Sequence, residues 1–263
     1  MSWLLVLGSG WAIVALAMVW AWDWQRRHRD AGIVDVCWSA AMGFLAIWCA
    51  LWAEGDPARR LLVGALGGAW AARLAWHIAT DRVLGKPEDG RYQRLRAHWG
   101  ERAQPMFFLF FQAQALAAAV FALPFMAAAS LVSPPPGWAL VTAVFVWVVA
   151  VVGETVADRQ LAAFRADPAN KGKTCREGLW RYSRHPNYFF EWLHWFTYPL
   201  LAWGEPWAVA VAFLGPALML ATLLKGTGIP YTEMQAAASR ADYRDYQATT
   251  SMFIPWPPKE KRA

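Results

Sequence analysis

The feature that most limits what this chain can fold into is its recurrence of long, nearly uncharged apolar stretches. Residues 3–24, 32–53, 61–81, 105–131, 137–157, 188–203 and 207–224 each read as a span. Most approach or exceed the ~20 residues an α-helix needs to cross a ~30 Å hydrocarbon core. Inside lipid every backbone N–H and C=O must find its partner within the segment, so such stretches are helices. The fold class is therefore all-α: an integral membrane bundle of seven transmembrane helices. The first stretch is long, lacks a basic segment before it and runs on into further spans, so it reads as a span rather than a cleaved leader. The sixth is short, and its start is expected in a polar cavity.

Charge placement orients the bundle. Of the 25 Lys and Arg residues, 22 fall in four segments that the seven-span topology puts on one side: 26–29, 82–102, 159–184 and 225 onward. Arg59 and Arg60 fall on the other side, and Arg73 lies inside a span. Basic loops face the cytoplasm, which sets the N-terminus outside and the C-terminus in the cytoplasm, in a multi-pass membrane protein. The same bias explains the formal charge of +6 without invoking nucleic acid. Cys37, Cys49 and Cys175 are odd in number and lack metal-ligand spacing, so neither a disulfide nor a metal is expected. The chain reads as a single membrane domain, 1–263, and as a monomer among membrane lipids. Residues 1–104 form its N-terminal half and residues 105–263 its C-terminal half, with the motif 176–191 and a C-terminal cytoplasmic helix near 231–250.

Ionisable groups inside a bilayer cost about 2.5–3.5 kcal/mol each on insertion scales, so each asks for a reason. In the third span Trp70, Arg73, His77 and Asp81 recur at i, i+3, i+7 and i+11, which is one helix face. In the sixth, Asn187, Glu191, His194 and Tyr198 recur at i, i+4, i+7 and i+11, again one face. The fifth span ends with Glu154 and Asp158, with Arg165 two turns on; the second carries Asp35 near its start, and the fourth carries Gln112 and Gln114. Such groups can simply pair to hold helices together. Three aligned stripes on the cytoplasmic side favour a polar cavity open to the cytoplasm.

The densest motif is REGLWRYSRHPNYFFE, residues 176–191. Pro186 suits the first turn of a helix, and free N–H groups at a helix start favour an anion. Lys173, Arg176, Arg181 and Arg184 surround the same point, which suggests a phosphate or pyrophosphate site, or else contacts with lipid headgroups. No GxGxxG, Walker A or HExxH motif is present, so a nucleotide would be held by the helices themselves.

The run GLWRYSRHPNYFFE at 178–191 and the later DYRDYQATTSMFIP at 242–255 resemble the bacterial DUF1295 family, which is similar to the steroid 5-alpha-reductases. More distantly, the chain resembles sterol reductases and isoprenylcysteine carboxyl methyltransferases. The reductase resemblance implies NADPH held mainly by the C-terminal half. By position, it assigns the cofactor to Asp158, Arg165, Lys173, Arg184, His185, Asn187, Glu191, Tyr231, Glu233 and Tyr246, with Arg73, Arg82, Arg91 and Tyr92 completing the pocket. Steroid reductases also carry a Gln-Glu pair and a Tyr that hold the substrate ketone. Here Val34-Asp35 and Trp70 stand at those positions: the acid is kept, while the Gln and the Tyr hydroxyl are not.

The function expected is NADPH-dependent reduction of the conjugated C=C bond of a 3-oxo-Δ4-steroid or similar lipophilic enone. Asp35 is the first candidate for the group that protonates the developing enolate, with His77 and Tyr92 as alternatives. Asp35 also suits a plain helix start. Trp70 and Gln112 are expected on the substrate side. One rival is a membrane methyltransferase using S-adenosylmethionine. Another is a transporter or scaffold, although no inverted repeat or matched pair of broken helices is visible.

Overall fold

A computed structural model describes residues 2–226 and 228–259, and among them it contains helices and no strand. Thirteen α-helices follow one another: α1 Trp3–His28, α2 Ile33–Trp52, α3 Pro57–Ile78, α4 Gly90–Trp99, α5 Ala103–Phe121, α6 Leu123–Ala129, α7 Gly137–Ala166, α8 Pro186–His194, α9 Thr197–Leu201, α10 Pro206–Ala212, α11 Leu214–Lys225, α12 Ile229–Ser239 and α13 Tyr243–Thr249. Among the described residues, six helical stretches are long and apolar enough to cross a membrane: Trp3–His28, Ile33–Trp52, Pro57–Val83, Gly90–Ala129, Gly137–Ala166 and Pro206–Ser239. Large apolar side chains such as Leu4, Leu16, Leu61, Trp76, Val141 and Phe145 point outward. A shell of that kind requires lipid rather than water. This is the architecture of an integral membrane protein.

The stretch 188–203, read from the sequence as the sixth span, is not among the six. It is two short helices, α8 and α9, with α8 closing on Trp195. Pro199 explains the break: a proline ring collides with the carbonyl four residues earlier, here that of Trp195. The same rule places the α5–α6 break before Pro124 and the α10–α11 break before Pro216. Polar starts are set by caps. Asp56 Oδ1 accepts from the amides of Ala58 and Arg59 at the head of α3, and Asp89 Oδ1 accepts from Arg91 N at the head of α4.

The chain forms two compact units, residues 1–136 with 201–214 and residues 137–200 with 215–263. This boundary differs from the 1–104 and 105–263 halves read from the sequence, because α5 packs chiefly on α1 and α2. In the first unit, α2 and α3 approach closely through small residues. A Cβ on Gly43 would lie 2.8 Å from Ala71 Cβ, and one on Gly64 would lie 3.0 Å from Ala50 Cβ. The fully buried Arg59 binds the carbonyls of Ser133 (2.8 Å), Trp203 (2.9 Å) and Leu201. In the second unit, α7 and α8 pack so tightly that a Cβ on Gly153 would strike the Phe190 ring at 2.4 Å.

Candidate functional site

The second unit carries most of the residues assigned to a cofactor, and they fall into three groups. The first centres on Glu233 of α12. Arg184 grips its carboxylate with Nε (2.8 Å) and Nη2 (3.1 Å), His185 Nε2 lies 2.9 Å away, Tyr243 donates its hydroxyl at 2.8 Å and Gln247 its amide at 2.5 Å. Burial works to raise the Glu233 pKa, but these donors outweigh it and hold the carboxyl well below its usual range. Arg184 Nη1 also binds the carbonyls of Thr250 (2.8 Å) and Gln247 (3.1 Å). Tyr246 donates to the carbonyls of Trp180 and Ser183 (3.1 Å), and burial pushes its phenol up.

Backbone pairing completes this hub. Arg184 N reaches Ser251 O at 2.8 Å, Trp256 N reaches Tyr182 O at 2.9 Å, and Ser183 Oγ donates to Phe253 O at 2.8 Å. Residues 251–256 thus form a strap along 182–184. Upstream, Asp242 accepts from Thr174 Oγ1 (2.6 Å) and lies 3.6 Å from Arg176 Nη2. Burial opposes its ionisation, yet the Thr174 hydrogen bonds and the Arg176 charge keep its carboxyl below the usual range.

The motif's four cations therefore do not converge on the start of α8. Arg184 is committed to Glu233 and Arg176 to Asp242, Arg181 is exposed, and Lys173 lines a separate cleft. Two amides at the helix start are also taken: His185 N binds Ser183 Oγ at 3.1 Å and Tyr188 N binds Asn187 Oδ1 at 3.0 Å. Tyr243 and Gln247 were not singled out in the sequence. Their spacing from Glu233 spans two helices, so no single-helix period reveals them.

The second group lies where α8 crosses α7. Asn187 Nδ2 donates to Asp158 Oδ1 at 3.2 Å, and Asp158, Glu154 and Glu191 are all buried. Deeper along the segment, Tyr198 OH and His194 Nε2 are 3.0 Å apart and both are fully buried. The sixth-span stripe is therefore a real polar column despite the break after α8. Tyr231 is half-buried on α12.

The third group is a cleft of about 280 Å³ at the end of α7, lined by Arg165, Lys171, Lys173, Arg240, Asp167 and Cys175, with apolar walls from Leu161, Phe164 and Pro168. It holds two of the assigned residues, Arg165 and Lys173, and two to which the sequence reading gave no cofactor role, Lys171 and Arg240. Burial pushes the Cys175 thiol up.

The first unit joins two of the three catalytic candidates directly. Tyr92 OH donates to Asp35 Oδ1 at 2.7 Å, and Arg91 Nη2 donates to Asp35 Oδ2 at 2.8 Å. Arg91 is fixed from its other side by Asp89, and its guanidinium lies 5.2 Å from the Tyr92 ring centre. Tyr92 is buried, at 3% exposure. Asp35 thus accepts on both oxygens, one from Arg91 and one from the Tyr92 hydroxyl. His77 and Arg73 are half-buried on α3, and Trp70 is fully buried. Asp81 and Arg82 fall in a π-turn, Ala79–Val83, so the α-helical period that aligned Asp81 with Trp70 does not run through it. Gln112 donates to Ala15 O at 3.3 Å and ties α5 to α1. A second knot joins α1, α4 and α5: Arg96 binds Glu88 (2.7 Å) and Gln25 (3.2 Å), and Gln25 binds Gln104 (2.9 Å).

Comparison with curated proteins and comparison with solved structures each returned no match. The model of the DUF1295 family, described as a protein of unknown function, matches residues 21–250. With its motif-bearing helices and nearly its whole length inside that match, the chain belongs to the DUF1295 family.

Proposed function

We propose that this protein reduces the conjugated C=C bond of a lipophilic enone, such as a 3-oxo-Δ4-steroid, with NADPH as its reductant. The observation that carries the reading is the buried phenol of Tyr92 held on a carboxylate, Asp35, which is itself clamped by Arg91. NADPH, when bound, supplies a hydride for the β-carbon. The electron pair then moves to the ketone oxygen, and a pre-aimed O–H in a dry site is the group needed to meet it. Tyr92 carries such an O–H, donated to Asp35 in the structure; turned to the ketone oxygen it would pass its proton there, with Arg91 offsetting the Asp35 charge and water returning a proton to the phenolate. The donor set of the second unit suits the nucleotide: a basic cleft for phosphate, and the half-buried Asn187 with the buried Asp158 and Glu191 for amide or ribose groups.

The same reading places the basic segments in the cytoplasm of a bacterial inner membrane, with the N-terminus outside and seven crossings. Arg59 supports the seventh. It binds carbonyls at residues 133, 201 and 203, so those turns lie together on the side where α3 begins. The chain leaves that side through α7 and must return to it by residue 201. The segment Pro186–Leu201 is the one available, and at ~1.5 Å per residue it spans about 24 Å, which fits a broken crossing that starts in a polar recess.

The rival is a methyltransferase that uses S-adenosylmethionine. Equilibrium binding to the purified protein in lipid nanodiscs separates the two. Saturable NADPH binding that Asn187→Ala and Glu191→Ala weaken supports the reductase. S-adenosylmethionine binding with none for NADPH transfers the protein to the methyltransferase class.

A further inference from the structure

The cleft at the end of α7 has a composition that internal packing does not explain. Four cations, Arg165, Lys171, Lys173 and Arg240, face about 280 Å³ of open space with one carboxylate, Asp167, among them. That carboxylate is partly occupied as a local cap, because its Oδ1 accepts from Ala169 N at 2.9 Å. The side chains of Lys171, Lys173 and Arg240 make no hydrogen bond or ion pair among the described residues. Elsewhere in the unit Arg184 is matched by Glu233 and Arg176 by Asp242. Three cations with free side chains, gathered round a concavity that holds a single carboxylate, are poised for an anion.

The cleft is also preformed. Its loop is closed by its own backbone, with Asn170 N on Asp167 O (3.0 Å), Lys171 N on Pro168 O (3.2 Å) and Lys173 N on Asn170 O (3.0 Å). Asn170 Nδ2 is anchored on Phe164 O at 3.1 Å. The lysines are therefore presented by a rigid turn at the end of a 30-residue helix. The volume lies just below the ~300 Å³ at which pockets for drug-sized ligands begin. It suits a phosphate with its adjoining sugar or glycerol, rather than an entire dinucleotide.

We propose that this cleft is a phosphate-monoester site in which Lys171 and Arg240 provide the discriminating charges. If the reductase reading holds, the group bound is the 2′-phosphate that distinguishes NADPH from NADH. The identity of that source rests on the reductase reading; the phosphate site does not. The same chemistry could be met by the headgroup of an anionic lipid, since the cleft adjoins a membrane-spanning helix.

The test uses the full-length protein in phosphatidylcholine nanodiscs, with Lys171→Gln and Arg240→Gln alongside the wild type. Both side chains reach solvent, and matched elution on gel filtration verifies that the variants fold. The probes are 2′,5′-ADP and NADH in solution, and fluorescent phosphatidate doped into the disc. Loss of one charge-assisted hydrogen bond should weaken 2′,5′-ADP by about tenfold or more, with NADH affinity unchanged within about twofold. That result supports the site and its nucleotide source. Binding of 2′,5′-ADP that the variants weaken, with no binding of NADH or NADPH, supports the phosphate site while removing the reductase reading. Phosphatidate occupancy lost in the variants, with no 2′,5′-ADP binding, supports the site with a lipid source. If neither probe responds to either substitution, the proposal is overturned.

Discussion

Replacing Glu233 with Ala should open the C-terminal strap without unfolding the protein. The carboxylate takes five hydrogen bonds, two from Arg184 and one each from His185, Tyr243 and Gln247. Its side chain is 14% exposed, Arg184's is 10% and His185's is 3%, so solvent replaces little of what is lost. Removing one partner of such a buried pair leaves an uncompensated charge, at about 3–5 kcal/mol. Glu233→Gln keeps the shape and loses the charge, at about 1.5–3 kcal/mol. What these contacts hold closed is the pairing of 251–256 with 182–184. Amide hydrogen exchange reads that opening directly. In Glu233→Ala, peptides covering 180–188 and 246–258 should exchange faster by roughly two to three decades, by the rule of about 1.4 kcal/mol per tenfold. Peptides from α2 and α3 should be unaffected. Rates within threefold of wild type in the strap would refute the argument that one carboxylate closes it.

Three further outcomes follow from the same contacts. The Glu233 pKa is depressed in the folded state, so its stabilisation is complete above the ordinary carboxylate pKa of 4.5 and declines as pH falls below it. The melting-temperature gap between wild type and Glu233→Gln should accordingly stay constant above about pH 5.5 and narrow in more acidic buffer. Arg59→Leu removes a fully buried guanidinium from three backbone carbonyls and should cost about 3–5 kcal/mol in thermal or denaturant unfolding, with Arg59→Lys restoring only part. Gly178 sits at φ +55, and a Cβ there would lie 2.3 Å from Gln160 Nε2. Gly178→Ala should therefore cost about 2–3 kcal/mol, from backbone strain and from losing Gln160's cap on Leu179 N, measured in the same melts.

How much could be read in advance differed between elements. The long spans were legible because hydropathy integrates over twenty residues and local errors cancel. The proline breaks at 124, 199 and 216 were present as letters, yet apolar composition runs straight across them, so 188–203 read as one helix. In the candidate site, Asn187 with Asp158 and Arg184 with Glu233 were each singled out, but their pairing was not, because partners 29 and 49 residues apart leave no periodic trace. Counting cations near Pro186 overstated an anion site there, since the neutralising acids, Glu233 and Asp242, arrive from a distant segment. The π-turn at 79–83 changed the face of Asp81 for the same reason: hydrogen-bond register is invisible to composition.

The central claim is that Tyr92, held by Asp35, protonates the enolate formed when NADPH reduces an enone. The direct measurement is product formation by the wild type and Tyr92→Phe in lipid nanodiscs, with NADPH and a panel of 3-oxo-Δ4-steroids, followed by mass spectrometry. The account predicts an NADPH-dependent product two mass units heavier, formed about 10²-fold or more slowly by Tyr92→Phe, with NADPH affinity held near wild type. Equal turnover by Tyr92→Phe would contradict the donor assignment. No reduced product from any enone, with S-adenosylmethionine bound in place of NADPH, would contradict the account as a whole.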